Sequence, residues 1–516
     1  MPETHRRNSR PNRFGIGFLS LLQIFLFLAA VIFINYLASQ NPVRRDYSRT
    51  ADYTLASSTV NYLESPEITS RENPVKWTLL FRRSSPFYER VRALAEEYER
   101  ISNGKIKLEV IDPIRSPDRT QQFTAAYNLT LVRDLLLIDA RPNDDETIVT
   151  DTTTGTPALN PHITIALADE MVTYAVDGKG ERRPNTFRGE DLLTARLVEA
   201  IEGKPRNFLF LSDKSNIDAE GDDSPWSNLA ATLRYQNIQL LPANLAGLTE
   251  IPEQINGIAI IAPKYDFTTE EIKTLETYWN QPRGAILILL NPGECPPNLR
   301  IFLRSKGITP RRDRIITKTE NRLTTTARGT FTQGIPFLEE LAGRSAVFEG
   351  ASSSLEVREN AEDLAVKKLS PTPLIKLNPE YWGEIDFGKN TAEDKSGETY
   401  DPVRDTPSPL YLAAAVTRGA GNDDRFAADT SRMIVVSNTE FLDPDSQRAE
   451  NVDFLASAAN WLVLRESLTG LSPRTIGTYK LPLLEAQVSF INRLNLFFAP
   501  LGFLILGGII FSTRRS

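Results

Sequence analysis

The sequence predicts an α/β protein in which two α/β domains lie outside the cytoplasm, between one transmembrane helix near each end. Three observations support this prediction. An uncharged apolar stretch covers residues 14–38, and a second covers residues 494–511. Strand-like and helix-like segments alternate after Pro74, and a second alternation of the same kind starts after Pro205. Such alternation is typical of sheets covered by helices.

The two apolar stretches are long enough to span a bilayer, since about 20 apolar residues cross the hydrocarbon core. Arginines precede the first stretch, and Arg514 and Arg515 follow the second. The positive-inside rule therefore places both termini in the cytoplasm and the region between them outside it. We expect a bacterial inner (cytoplasmic) membrane protein with a large periplasmic part. A cleaved signal peptide is the alternative for the first stretch.

Composition excludes several classes of protein. The chain has 516 residues and a net charge of −7, and its basic residues at the two ends leave the middle still more acidic. A nucleic-acid partner is not expected, because no basic stripe lies between the spans. The histidines are His5 and His162 and the one cysteine is Cys295, so no intrachain disulfide or multi-histidine zinc site can form. No phosphate-binding G-x-x-x-x-G-K-[ST] loop occurs, so the chain is not expected to hydrolyse ATP.

The first predicted domain covers residues 46–203. Periodicity and turn signals predict strands and helices in alternation: Val75–Phe81, Lys107–Ile111 and Asp134–Asp139 as strands, Pro86–Ile101 and Pro117–Tyr127 as helices, edge strands within Thr164–Asp177, and a closing helix Asp191–Ile201 with Gly203 as its C-cap. Residues 141–161 are expected to form a polar loop.

The second predicted domain covers residues 204–470 and is followed by a linker over 471–493. Its predicted strands are Asn207–Leu211, Gly257–Ile261, Ala285–Leu290 and Met433–Ser437, and its predicted helices are Trp226–Gln236, Thr269–Gln281 and Val452–Arg465. Thr268 is the expected N-cap of the second helix. Residues 310–430 are expected to be looser, with an exposed loop over 384–408.

Several stretches resemble the GldG-like auxiliary components of ABC transporters, a gliding-motility-associated family. They are KIKLEVIDPIRSPDRTQQFTAAYNL (105–129), FRGEDLLTARLVEAIEGKPRNFLFLS (187–212), IPEQINGIAIIAPKYDFTTEEIKTLETYWNQPRGAILILLNP (251–292), YWGEID (381–386), MIVVSNTEFLD (433–443) and NVDFLASAANWL (451–462). The first domain resembles a thioredoxin-like fold without C-x-x-C, and the second resembles glutamine-amidotransferase-like or flavodoxin-like folds. Many members carry Gly-His-Gly-Glu after the strand at 207–211, where this chain has Ser212-Asp213-Lys214-Ser215-Asn216.

The resemblance implies a non-enzymatic auxiliary subunit whose partners are an ABC permease, its ATPase and an unidentified extracytoplasmic ligand. We expect no cofactor, metal site or catalytic residue. Gly507 and Gly508 are candidates for close contact with a membrane partner, because small residues let helix backbones approach. Two alternatives remain open: an extracytoplasmic hydrolase or amidotransferase-like enzyme, and an envelope scaffold without a transporter.

Individual side chains favour structural roles. Cys295 lies in a proline-rich turn without a downstream histidine to activate it, and His162 stands at the entry to a strand. Asp112 precedes Pro113 and is expected to end a strand by accepting a backbone N–H two residues further on. Glu190 and Asp191 are expected at a helix start, where they complement the helix dipole and cap free N–H groups.

Overall fold

A computed structural model describes residues 22–33, 54–143, 145–150, 157–176, 182–217, 224–319, 322–339, 341–387, 399–419, 430–465, 474–475 and 500. Apart from residue 500, the second predicted span with Gly507 and Gly508 lies outside the described residues, as do most of the first span and parts of the loops at 141–161 and 384–408. Within the described chain, no helix combines the length and the apolar content needed to cross a bilayer. The chain divides into two compact units, residues 1–55 and residues 56–516.

Ten helices of residues 56–516 are α1 (Ser57–Glu64), α2 (Pro66–Thr69), α3 (Tyr88–Ile101), α4 (Pro117–Ala126), α5 (Gly189–Glu202), α6 (Pro225–Tyr235), α7 (Thr269–Asn280), α8 (Pro297–Ser305), α9 (Glu362–Val366) and α10 (Ala449–Leu462). The strands are β1 (Val75–Leu80), β2 (Ile106–Ile111), β3 (Leu135–Asp139), β4 (Ile148–Thr150), β5 (Pro157–Leu159), β6 (Ile163–Leu167), β7 (Val172–Val176), β8 (Arg182–Phe187), β9 (Arg206–Leu211), β10 (Ile238–Ala243), β11 (Ile255–Ile261), β12 (Ala285–Leu289), β13 (Ile308–Pro310), β14 (Arg314–Thr319), β15 (Arg322–Thr324), β16 (Ala327–Phe331), β17 (Ser345–Phe348), β18 (Leu355–Val357), β19 (Leu369–Leu377), β20 (Trp382–Glu384), β21 (Tyr411–Arg418), β22 (Ser431–Val436) and β23 (Arg474–Thr475).

These elements confirm the mixed α/β class. A four-stranded sheet has the order β2-β1-β3-β6, with β1 and β2 parallel and β3 antiparallel to both of its neighbours. Trp77 and Tyr98 are fully buried between this sheet and α3, and their ring centroids lie 4.8 Å apart. The helices and strands predicted here are present, with ends shifted by one or two residues.

A larger sheet of 11 strands follows in the chain. Its parallel half has the order β10-β9-β11-β12-β22, and its antiparallel half continues as β21-β19-β16-β17. Alternate residues of β9 enter two different hydrophobic clusters, Phe208 and Phe210 on one face and Leu209 and Leu211 on the other. The sheet is therefore buried on both faces, as parallel sheets are.

The expectation that residues 310–430 are loosely structured is wrong. This region supplies β14–β21, and four of its strands form most of the antiparallel half of the large sheet. Most described residues of the loop expected over 384–408 are exposed, as predicted, including Val403 at 90%, but Glu384 and Asp405 are buried. Asp405 accepts hydrogen bonds from the N–H groups of Asp401 and Ile385, at 2.7 and 3.4 Å, so this segment folds back on itself.

The end of the described chain returns to the four-stranded region. β23, inside the predicted linker 471–493, pairs antiparallel with β8, which in turn pairs with β7. Arg474 lies opposite Phe187 and Thr475 opposite Thr186. The chain therefore leaves the four-stranded region after α5, builds the large sheet, and comes back to the strand that precedes α5.

Helix ends and turns follow the local sequence. Thr268 caps α7 in a capping box with Glu271, and Gly203 ends α5 in the left-handed region at φ 71°, both as predicted. Asp112 Oδ1 accepts the N–H of Ile114 at 3.0 Å, which confirms the predicted turn. Glu190 lies in the first turn of α5 as expected, but its carboxylate accepts hydrogen bonds from Ala56 and Thr59 of another segment instead of capping this helix.

Candidate functional site

The carboxyl edge of the parallel half-sheet is the position where such folds place ligands. In chain order the five parallel strands run second, first, third, fourth and fifth across the sheet, so the order reverses between β9 and β11. The helices that follow these two strands lie on opposite faces, since Leu233 of α6 and Leu275 of α7 belong to different clusters. Ligands of open α/β sheets bind in the crevice at this reversal.

Lys214 occupies that crevice. It lies three residues after β9, and its Nζ is 2.8 Å from Glu271 Oε1 and 3.8 Å from Asp213 Oδ2. The same ammonium donates to the carbonyl oxygen of Asp266 at 3.4 Å and lies 5.5 Å from the centroid of the Phe267 ring. Lys214 therefore ties the loop after β9 to the loop and helix after β11, and it fills the crevice from within.

Glu271 is the matching anion. Its side chain is buried, and it also accepts the N–H of Thr268 at 2.7 Å. Burial raises the pKa of the Glu271 carboxyl, but the hydrogen bonds from Lys214 and Thr268 outweigh burial and hold it below its ordinary value. The carboxylate is therefore charged at neutral pH and committed to Lys214.

Other residues of Ser212–Asn216 make hydrogen bonds that fix the neighbouring loops. Asp213 accepts the N–H groups of Leu245 and Ala246. Ser215 Oγ donates to the carbonyl of Ile261 at 2.7 Å. Among the described residues of this run, Asn216 points a different way, because its Oδ1 accepts from Asn291 Nδ2 at 3.3 Å.

A polar line runs along this edge from Asn216. Asn291, which follows β12, accepts at Oδ1 the hydroxyl of Thr439, which follows β22, at 2.8 Å. All three side chains are at least partly exposed. Amide and hydroxyl groups in a row can donate and accept hydrogen bonds, but they include no nucleophile paired with a base. This edge is suited to binding a polar group.

Cys295 lies near the same edge but is poorly placed for chemistry. Its side chain packs against the apolar cluster beneath α7 and α8. Burial raises the pKa of the Cys295 thiol to about 12, so the thiolate is scarce at neutral pH. His162 is engaged elsewhere, with Nδ1 2.7 Å from the carbonyl oxygen of Ala200 at the end of α5.

We therefore expect Cys295 to react slowly with iodoacetamide. The folded chain at pH 7.5 should be alkylated at least about 100-fold more slowly than the urea-unfolded chain, because the thiol is both protonated and covered. Mass spectrometry of the alkylated peptide measures the two rates. Equal rates in the folded and unfolded states would contradict the buried placement.

A cavity of about 570 Å³ opens at the opposite, amino edge of the large sheet. It is bounded by the end of α5, the start of β9, the turn after α7, and residues 462–465. At its wall Arg465 Nε donates to Glu202 Oε1 at 2.8 Å, a second bond joins Arg465 Nη2 to Glu202 Oε2, and Asn237 Nδ2 donates to the same carboxylate at 2.9 Å. These mutual bonds make this wall a brace between segments that are distant in the chain.

Comparison with known proteins gives one family match. Residues 50–139 match the model of a domain of unknown function, DUF7088. The described part of this range runs from the start of α1 to the end of β3. No curated protein matches the chain.

Solved structures give low similarities. The N-terminal domain of mmIFT52 is 14% identical with a TM-score of 0.35, covering 50% of this chain and 97% of its own. A ThuA-like protein of Bacteroides uniformis is 11% identical with a TM-score of 0.27, covering 50% and 91%. Alpha-L-fucosidase isoenzyme 2 of Paenibacillus thiaminolyticus is 9% identical with a TM-score of 0.27, covering 55% and 36%.

Proposed function

We propose that this chain is a non-enzymatic, membrane-anchored auxiliary subunit of an ABC-type transport system, similar to the GldG-like components. Its two α/β domains lie outside the cytoplasm and bind a ligand or an envelope partner. A permease and an ATPase are its membrane and cytoplasmic partners. A role in gliding is part of the proposal only for a host that glides.

The observation that carries the membrane anchor is the described helix at residues 22–33. Its large apolar side chains are exposed, including Phe25 at 67%, Phe27 at 70% and Ile32 at 68%. A contiguous apolar surface of this kind on a soluble protein marks an interaction site or an aggregation hazard. In a bilayer the same surface meets hydrocarbon, and the uncharged sequence around it is long enough to span.

The strand orders support the finer fold within this proposal. A four-stranded sheet with its third strand antiparallel to both neighbours is similar to a thioredoxin-like arrangement. The parallel order of the large sheet is the flavodoxin-like one. Thioredoxin chemistry needs a cysteine pair, and amidotransferase chemistry needs a reactive thiol. The raised pKa of the partly buried Cys295 thiol therefore favours binding over catalysis.

Co-purification tests the proposal. The full-length chain should stay in the membrane fraction after washing with high salt and with alkaline carbonate. Extraction in mild detergent should then recover it together with a multispanning permease and an ATPase. Recovery of the chain alone, or its release by salt, would overturn the proposal.

A substitution in the glycine pair of the second predicted span tests the contact with the permease directly. Gly507→Leu should reduce the recovered permease because a larger side chain keeps two helix backbones apart. Ile509→Leu is the matched control, since it changes a neighbouring residue without changing its size. An equal yield of permease from both variants would show that the pair makes no partner contact.

A further inference from the structure

One end of the four-stranded sheet lies beside Ala56, where the folded body begins, and beside the strand β23, which precedes the second predicted span in the sequence. The carboxyl ends of the parallel strands β1 and β2 and the amino end of β3 meet there, because β3 runs antiparallel to β1. Ala168 donates its N–H to the carbonyl of Asp134 at 3.0 Å, and Arg188 donates to Met171 at 2.7 Å. These bonds place the start of α5 at the same end.

Both chain connections attach to the start of α5. The N–H of Ala56 and the hydroxyl of Thr59 donate to Glu190 Oε1 at 2.6 and 2.8 Å, where the chain enters the body. The returning strand β23 pairs with Thr186 and Phe187 just before the helix. Ala56 and β23 therefore both contact residues 186–190.

The surface at this end carries arginines and two protruding aliphatic side chains. The arginines and their exposed side-chain fractions are Arg82 52%, Arg83 53%, Arg115 66% and Arg133 59%. Ile114 is 69% exposed and Val132 is 79% exposed. Ile114 lies three residues after β2 and Val132 three residues before β3. The strands β2 and β3 flank β1, so the strand ends next to these two residues are roughly 10 Å apart.

Acidic groups hold this surface in a fixed arrangement. The buried Asp134 accepts a hydrogen bond from Arg82. The buried Asp112 lies within 4 Å of Arg83 and Arg115. The turn that projects Ile114 is fixed by its own hydrogen bond to Asp112. Arg133 pairs with Asp169, an exposed acid on this surface. We call Arg82, Arg83, Ile114, Arg115, Val132 and Arg133 the basic end patch.

We propose that the basic end patch docks on the outer surface of the bilayer, with its arginines on anionic lipid headgroups and Ile114 and Val132 inserted among them. This rests on the membrane anchoring proposed above. A body tethered at residues 186–190 by both of its chain connections presents that end to the membrane. Arginines attract anionic lipids, and aliphatic side chains beside them enter the interface.

A bilayer explains this surface better than a protein partner does. The chain connections bring the patch to the membrane whichever other subunit is present. The arginines also stand out because the region between the predicted spans is more acidic than the net charge of −7 of the whole chain. The four arginines outnumber their three acidic partners Asp112, Asp134 and Asp169, so the basic end patch keeps a positive charge that attracts anionic headgroups.

Lipid-borne quenching of a fluorescent label tests the docking. The full-length chain carries Cys295→Ser with Ile114→Cys or Val132→Cys, labelled with bimane and reconstituted into nanodiscs of phosphatidylcholine and phosphatidylglycerol with nitroxide-bearing lipid. We expect about half of the emission to be lost at both positions. Val366→Cys is the matched control, since Val366 on α9 is equally exposed at 85% but lies in the large-sheet region. Its label should keep its emission.

Removal of positive charge from the basic end patch provides a second test of the docking. The double variant Arg115→Gln with Arg133→Gln should restore most of the emission, as should pure phosphatidylcholine, because both remove the headgroup attraction. These exposed arginines are chosen because Arg82 compensates the buried Asp134. Retained emission at positions 114 and 132 in a chain that resists carbonate extraction would overturn the docking alone. If the patch instead binds a protein, the labels will also keep their emission in the nanodisc, and they will be covered only when that protein is added. Release by carbonate would overturn the anchoring.

Discussion

Replacing Glu202 by alanine is expected to lower the free energy of unfolding by about 3–5 kcal/mol, because it leaves a buried guanidinium without its counter-ion. Arg465 is 8% exposed at its side chain and makes two hydrogen bonds to Glu202. Burial lowers the pKa of Arg465, and the charge of Glu202 opposes that effect. Equilibrium unfolding in detergent solution, followed by tryptophan fluorescence, measures the change.

Two further variants separate the ion pair from general damage to α5. Glu199→Ala removes a carboxylate three residues earlier, but its partner Arg196 is partly exposed, so the cost should be below about 1 kcal/mol. Glu202→Ala combined with Arg465→Met should recover most of the loss, since neither charge is then buried. If Glu202→Ala is no less stable than Glu199→Ala, the Glu202–Arg465 pair at the cavity wall contributes nothing to the free energy of unfolding.

Lys214→Met is expected to cost about 2–3 kcal/mol at neutral pH, because the buried Glu271 carboxylate loses its cation and keeps the N–H of Thr268. Lys264→Met changes an exposed lysine after β11 and should stay within about 0.5 kcal/mol of the parent chain. The same unfolding measurement compares the two.

The pH dependence of this difference has a definite sign. The folded-state pKa of Glu271 lies below its ordinary value of 4.5. The ion pair therefore contributes fully above the unfolded pKa and loses its contribution as the pH falls through the folded one. The gap between the parent chain and Lys214→Met should be largest at pH 7 and should shrink below about pH 4.5. A gap that is constant with pH would show that Lys214 acts by packing alone.

Local signals predicted much of the fold. Turn and cap residues act on their near neighbours, so Asp112, Gly203 and Thr268 could each be assigned from a few letters of sequence. The strand β12 was also predictable, because all five of its residues are apolar and it is buried. Patterns of this kind depend only on the segment in which they occur.

The antiparallel half of the large sheet could not be predicted in the same way. β19 contains Pro371 and Pro373, and prolines are normally found at sheet edges. The structure tolerates them because β16 pairs with β19 only between Gly329 and Phe331 and residues 375–377, so both prolines have an open side. β12 pairs with β22 across about 145 residues of chain, and no short pattern predicts such a partner.

The candidate site itself was not predicted from the sequence, which only drew attention to the loop that holds it. Ser212–Asn216 differs from the Gly-His-Gly-Glu run of the proteins that the sequence resembles, and this stretch is the loop after β9, which lies at the strand-order reversal. That Lys214 reaches Glu271 depends on two loops meeting in space. The pairing of Glu202 with Arg465 joins residues 263 positions apart. Both needed the fold to be known first.

Because β23 pairs with β8, the residues that form the large sheet are a lobe inserted into the smaller region. This insertion starts after Gly203 and ends at Arg465. The Glu202–Arg465 ion pair joins the two ends of this insertion. Tension applied along the polypeptide from its two ends would load the short pairing of β8 with β23 and the contacts of Glu190, and would bypass the lobe. A change in the length or sequence of this lobe would therefore leave the contacts that carry the tension unaltered.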